Sequence, residues 1–374
     1  VSQVLHILHV FSTFKIGGPQ VRFAALVEGL GDAISHSVIA MDGNYTAAGL
    51  LPPSAKVAID EKPLAGGSLL GRLKRYRREI RARAPDLLIT YNWGAIEWAL
   101  ANASLDTPHI HLEDGFGPEE ANRQFARRVW IRRLALRRSE VIVPSLVLRD
   151  MALRVWRLAE SRLHYIPNGI VPRDHARTDI GSLGLNLPRG MPRIVFAGAL
   201  RPEKNLVRLL RAYALIKNDA ALLIIGDGSE IEKLVREAER LSLGPHLHFL
   251  GRREDVRDIV MQCDIMAISS DTEQMPLVVL EGMDAGLPIV STRVGDIERV
   301  VAPENRPYIV KRSDLELGAA MGALVADPAA RKAVGAANRR RVRRDFLASD
   351  MIAAYGQLFR KAAQAGIGRP RSHG

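Results

Sequence analysis

The stretch RIVFAGALRPEKNLVRLLRAYALIKNDAALLIIGDGSEIEKL, residues 193–234, holds the reading that decides the fold. A short Val/Ile/Phe run ends at a glycine, an amphipathic segment follows, and a second apolar run again ends in glycines before another amphipathic segment. That is a strand–helix–strand–helix order, which calls for a parallel sheet covered by helices. The same order continues with HLHFLG, DIMAISS and PIVST. An earlier series reads the same way: VLHILHV, HSVIAMD, KVAID, DLLITYN, PHIHLE, EVIVPS and LHYIPNG. Between the two lies NGIVPRDHARTDIGSLGLNLPRGMPR, rich in Gly, Pro and polar residues, which reads as a linker plus loop. The chain therefore reads as two consecutive Rossmann-like domains, 1–170 and 171–349. A last helix in 350–374 comes after the second series is complete.

The 374 residues suit two domains, and a single cysteine allows no intrachain disulfide. No apolar run approaches the ~18 residues of a spanning helix, and the first residues lack a signal-peptide pattern. The net charge of +12 favours an anionic partner. Nucleic acid is one such partner, but no recognised motif supports it.

Ligands of open α/β sheets bind beyond the carboxyl ends of strands. The loop FAGALRPEKN places Arg201 and Lys204 beside a helix start, where free N–H groups and the helix dipole suit a diphosphate. IIGDGSE holds Gly226 and Asp227, a pattern short of a full G-x-G-x-x-G that a tight turn also explains. FLGRRED brings Arg252 near a flat base. In SSDTEQMPLVVLEGMDAGLPIVST, 269–292, Pro276 and Gly286 bracket a helix. The amides of Leu277 and Val278 then point out of its start, with Glu273 before them and Glu281 alongside Leu277. Amides suit phosphate and carboxylates suit sugar hydroxyls, the layout of a nucleotide-sugar. A partly buried Glu281 paired with arginine is the alternative.

Together these pieces resemble the GT-B glycosyltransferases, in particular the large retaining family 4. The resemblance is carried by GALRPEKN, IIGDGSE, FLGRRED, the E-x7-E of Glu273 and Glu281, YIPNGI at 165–170, the glycine pair 17–18 and the closing ASDMIAAYGQLF. It implies two Rossmann-like domains facing across a cleft, with the C-terminal helix crossing back to the first. It implies that Glu273 holds the transferred sugar and Glu281 the ribose, and that Arg201 and Lys204 neutralise the diphosphate with help from amides near Met275, Leu277 and Val278. Arg252 would face the base, and Gly17 and Gly18 would let the first loop approach the diphosphate. A UDP-sugar is favoured over a GDP-sugar, and neither a metal nor another cofactor is expected. The sequence departs from the family at Ala199, where many relatives carry Arg, and at HIHLEDGFG, where relatives often show His before Gly. Asp114 precedes Gly115 here and His111 lies three residues earlier, so both are candidates for the group facing the anomeric carbon.

For the acceptor, ANRQFARRVWIRRLALRRSE, 121–140, is informative. At ~100° per residue, Phe125, Val129 and Leu136 share a face that reads as core. Trp130, Ile131 and Leu134 share another with Arg123, Arg127, Arg137 and Arg138, a pattern that suits an anionic membrane surface; Trp130 packed under a loop is the alternative. LLGRLKRYRREIRARA, 69–84, reads as an ordinary amphipathic helix with a solvated basic face. These features point to a cytoplasmic glycosyltransferase, peripheral on the inner face of the plasma membrane. It would pass sugar from a nucleotide-sugar to a lipid-linked glycan in bacterial cell-surface polysaccharide or exopolysaccharide synthesis. A nucleotide-sugar epimerase of the same fold and a catalytically silent membrane-docking protein are the rivals.

Overall fold

The computed structural model describes residues 4–60, 64, 66–116, 118–120, 124–185 and 187–367. It divides into two compact units. The first comprises Val1–Phe116, Asn122–Asn168 and Ala348–Gly374; the second comprises Gly117–Ala121 and Gly169–Leu347.

The strands of the first unit are β1 (Leu5–Phe11), β2 (Ile34–Ala40), β3 (Val57–Asp60), β4 (Leu87–Tyr91), β5 (His109–Leu112), β6 (Glu140–Val143) and β7 (Leu163–Tyr165). Its helices are α1 (Gly18–Leu30), α2 (Leu69–Arg83), α3 (Ile96–Asn102), α4 (Ala126–Leu136) and α5 (Leu146–Arg154). The sheet is wholly parallel in the order β3-β2-β1-β4-β5-β6-β7. Both faces are covered, so even polar strand residues such as His9, His36, Thr90 and His111 are buried, where they bond one another or neighbouring side chains. On β1, Ile7 and Phe11 pack on one face with Phe23 of α1, while Leu8 and Val10 pack on the other with Tyr76 of α2 and Trp98 of α3.

The second unit holds β8 (Arg193–Ala197), β9 (Ala221–Ile225), β10 (Leu247–Gly251), β11 (Ile265–Ile268), β12 (Ile289–Thr292) and β13 (Ile309–Val310). They form a parallel sheet ordered β10-β9-β8-β11-β12-β13. Its helices are α6 (Leu206–Ala214), α7 (Ile231–Arg240), α8 (Val256–Val260), α9 (Leu277–Asp284), α10 (Ile297–Val300), α11 (Asp314–Ala326) and α12 (Pro328–Asp345). The last helix, α13 (Ala348–Ile367), belongs to the first unit, where Tyr355 and Phe359 complete the α1 side of the core.

Each strand order reverses once, between β1 and β4 and between β8 and β11. These are the switch points at which loops diverge and leave a crevice at the carboxyl end of the sheet. Two-residue β13 escapes sequence reading because so short a run carries no period. The helix expected within 121–140 is observed as Ala126–Leu136, so Phe125 is its N-cap and is 50% exposed rather than core. Val129 is partly buried and Leu136 fully so.

Candidate active site

In the second unit, the loops after β8 and β11 meet across the switch point. The chain leaves β8, makes a 3-10 turn at Pro202–Lys204 and enters α6 through Asn205. Asn205 takes a left-handed conformation (φ 44°), and its side chain accepts a hydrogen bond from the Arg208 amide. Across the crevice, Lys204 Nζ lies 2.5 Å from Glu273 Oε1, which also accepts from Ser270 Oγ at 2.8 Å. Lys204 and Glu273 keep side-chain exposures of 18% and 12%, so a ligand still reaches both. The two loops are stitched behind this pair. Asn205 Nδ2 and Arg208 Nη1 bond the Asp271 carboxylate at 2.9 and 2.7 Å, Ser269 Oγ donates to Lys204 O, and the Asp271 amide donates to Glu203 O.

The Glu273 loop is also pressed from behind by Gly295 (φ +53°), where a Cβ would fall 2.5 Å from Glu273 O and 2.4 Å from Gln274 O. Sequence reading missed Asn205, Arg208, Asp271 and Gly295. Only Asn205 carries a local signal, an N-cap residue just before an apolar run. Gly226 has the clearest need for glycine: at φ +136°, a Cβ would sit 1.9 Å from Gly198 O, so the turns after β8 and β9 touch. The Asp227 side chain turns back on its own loop, accepting from the Gly228 amide at 2.7 Å.

Pro276 precedes α9 and offers no side-chain cap, so the first-turn amides of Leu277 and Val278 have no i−4 partner. Met275 is buried beneath this turn at 3% exposure. Glu281 is partly buried, one turn on, with no hydrogen bond or ion pair to its carboxylate among the described residues. Burial raises its pKa, against the attraction of Arg257 and Arg173 and with repulsion from Asp284. Arg201 is 58% exposed and pairs with Glu203 of its own turn at 3.0 Å; Arg252 is exposed after β10.

In the first unit, Asp114 leaves β5 and meets Arg22 of α1 in a two-pronged pair, 2.5 and 2.8 Å. The Arg22 side chain is 2% exposed and that of Asp114 15%. Burial is the largest influence and opposes the guanidinium charge, but the Asp114 carboxylate together with the Tyr355 and Tyr91 hydroxyls outweighs it and raises the Arg22 pKa. Arg22 also donates to Asn168 Oδ1 after β7 at 3.1 Å and lies 5.8 Å from the Tyr355 ring centroid of α13. The Asp114 amide donates to Asn92 Oδ1 at 2.7 Å. Asn92 sits at φ 56°, ψ 179°, a region that costs a non-glycine residue of order 1–3 kcal/mol. Asp114 is thus the counter-ion of a buried arginine. His111 and Glu113, two residues apart, point together into the protein, with side-chain exposures of 0%. His111 Nδ1 is bonded to Thr90 Oγ1 at 2.8 Å, and Arg132 of α4 closes over Glu113 at 3.2 Å. No atom of the His111 side chain is at the surface. Gly17 caps α1 in an extended conformation, and a Cβ on Gly18 would meet no other atom within 4 Å.

On α4, Trp130 and Leu134 are 67% and 57% exposed, so Trp130 is not packed under a loop. Its ring carries the Arg133 guanidinium at 5.3 Å. Arg127, Arg137 and Arg138 are exposed; Arg123 lies outside the described residues. Among the described residues, no helix is long and apolar enough to cross a membrane.

Two doubly wound parallel units in one chain are the architecture of the GT-B fold. Residues 184–341 match the model for glycosyl transferases group 1, and residues 16–174 match that for glycosyltransferase family 4. The chain belongs to glycosyltransferase family 4 and is an enzyme of the glycosyl-transferring class. It is 28% identical to N-acetyl-α-D-glucosaminyl L-malate synthase of Bacillus anthracis, over 44% of this chain and 44% of that protein. It is 24% identical to the UDP-Gal:α-D-GlcNAc-diphosphoundecaprenol α-1,3-galactosyltransferase of Escherichia coli, over 55% of this chain and 57% of that one. The alignments thus span less than two thirds of each of these relatives. The structure of Anabaena Alr3699/HepE in complex with UDP-glucose shares the fold, with a TM-score of 0.81 at 17% identity over 96% of this chain and 100% of that one.

Proposed function

We propose that this glycosyltransferase takes a nucleotide-sugar, UDP-linked in preference to GDP-linked, and passes the sugar with retention to a lipid-linked glycan during bacterial cell-surface polysaccharide or exopolysaccharide synthesis. The observation that carries the donor half is the Lys204–Glu273 pair at the switch point, beside the uncapped start of α9. Donor binding exchanges this pair. The diphosphate takes Lys204 and the amides of Leu277 and Val278, and Glu273 is released to sugar hydroxyls. Glu281, one turn along α9, receives the ribose, with Arg252, Gly226 and Asp227 toward the base. As the anomeric C–O bond breaks, its electron pair goes to the diphosphate, where Lys204 and Arg201 hold the charge. The acceptor oxygen bonds the anomeric carbon on the same face, and its proton passes to a leaving-group oxygen. Asp114 is the carboxylate assigned to the first unit's side of this reaction, with His111 as the alternative. The buried position of His111 favours Asp114.

The UDP-glucose complex of the Anabaena protein and the name of the E. coli relative support a UDP-sugar and a lipid-linked acceptor. Thermal shift with UDP-, GDP- and ADP-sugars tests the donor. The expected result is stabilisation by a UDP-sugar, about 2.7 kcal/mol at a hundred times Kd. Stabilisation by GDP- or ADP-sugars alone would overturn the nucleotide assignment.

Trp130 and Arg127 of α4, with Arg137 and Arg138 just past its end, support peripheral attachment to an anionic membrane, which we place on the cytoplasmic face. Each cation near such a surface adds about 1 kcal/mol. Co-sedimentation with anionic but not neutral vesicles is expected, weakening with salt. Arg→Ser replacement at 123, 127, 137 and 138 together is expected to leave the protein in solution. Sedimentation equal to the parent would assign docking to another surface.

A further inference from the structure

The basic helix α2 carries cations of two kinds. Arg72 forks onto Glu97 at 2.7 and 2.6 Å, Arg83 pairs with Asp60 and Glu79, and Arg75 donates to Gly66 O at 2.7 Å. Lys74, Arg77, Arg78 and Arg81 differ. None of the four meets a carboxylate among the described residues. They are spaced i, i+3, i+4 and i+7, so they share one face of the helix. Together with Ala82 and Ser104 they line an open concavity of about 630 Å³. Arg77 is seated against α3 through a 3.3 Å hydrogen bond to Ala101 O, and Ser104 comes from the turn that follows α3.

Placing four cations along one face without acids sets up mutual repulsion that a multiply charged anion relieves. Guanidinium and ammonium groups bind phosphate oxygens through short charge-assisted hydrogen bonds. The cations border a wide, open depression beside α3, so one phosphate-bearing ligand reaches all four from the same side. The location separates this recess from the transfer chemistry. α2 runs back between the end of β3 and the start of β4, and Ser104 precedes β5. The recess therefore lies toward the edge where the strands begin, opposite Asn92, Asp114 and Gly17.

We propose that the α2–α3 recess binds a ligand with clustered phosphate groups, either a free polyphosphate or a lipid headgroup carrying two phosphates. This reading is independent of the donor assignment, because none of its residues belongs to the second unit.

The test uses the full chain and a Lys74→Gln/Arg78→Gln/Arg81→Gln variant, with sodium tripolyphosphate as the soluble probe and cardiolipin in phosphatidylcholine vesicles as the lipid probe. All three side chains are exposed, so an unchanged melting temperature is expected and serves as the control. Tripolyphosphate is expected to bind the variant about 100-fold more weakly than the parent, at roughly fivefold per lost cation. Hydrogen-exchange protection by the probe is expected over residues 74–82. Loss of tripolyphosphate binding with unchanged vesicle sedimentation identifies a free polyphosphate. Reduced sedimentation on cardiolipin vesicles identifies the headgroup. Parent-like behaviour toward both probes, or protection confined to residues 201–206 and lost in Lys204→Ala, overturns the proposal.

Discussion

Lys204→Ala is expected to lower kcat by about 100-fold or more, because a preorganised charge at a leaving group contributes on that scale. The residue is not a solvated loop lysine. Its ammonium group is held 2.5 Å from Glu273, and Ser269 anchors its backbone. Removing it takes away the diphosphate partner and also leaves Glu273, 12% exposed, without its cation. Donor affinity is therefore expected to fall along with kcat. Arg201→Ala is expected to cost less, since Arg201 is 58% exposed and already paired with Glu203. The measurement is steady-state transfer together with donor-induced thermal shift. Near-parent kcat and shift in Lys204→Ala would remove it from the donor site.

Asp114→Asn is expected to destabilise the first unit by about 3–5 kcal/mol, because it strands the charge of buried Arg22. For a unit of this size that lowers the melting temperature by roughly 10 °C. In the sequence alone, an Asn substitution at this position reads as mild; the Arg22 pair makes it severe. The informative comparison is Asp114→Asn against an Arg22→Leu/Asp114→Leu double variant. Replacing both partners of a buried pair by apolar groups is often neutral, so the double variant is expected to recover most of the lost stability. Transfer is expected to stay abolished in it if the Asp114 carboxylate acts on the reaction. A stable and active double variant would reduce Asp114 to the counter-ion of Arg22.

Twelve of the thirteen strands were legible as short runs rich in Val, Ile and Leu, since strands covered on both faces are mostly apolar. The final helix was legible too, from its place after the last strand run of the second series. The order of strands in each sheet was not, because parallel neighbours such as β1 and β4 are joined by no local turn. The loops proposed to hold the donor were readable one at a time, each as a glycine or charge after a strand.

What the sequence determined alone was which residue types follow the strands, Lys204, Glu273 and Asp114 among them, and that α2 and α4 carry cations. Which of them meet was decided by tertiary structure. Lys204 finds Glu273 across 69 positions and Arg22 finds Asp114 across 92. Helical projection ranked the faces of α4 relative to one another, but not which face would be covered. Arg132 is the clearest case. An arginine in a run of arginines reads as solvated, yet its side chain is 0% exposed. It lies against Glu113 and among Trp93, Phe116 and Trp156 at 5.0, 5.2 and 5.0 Å. Those partners come from loops after β4, β5 and α5. Burying a charge is affordable only when they arrive together, and no local window of sequence contains them.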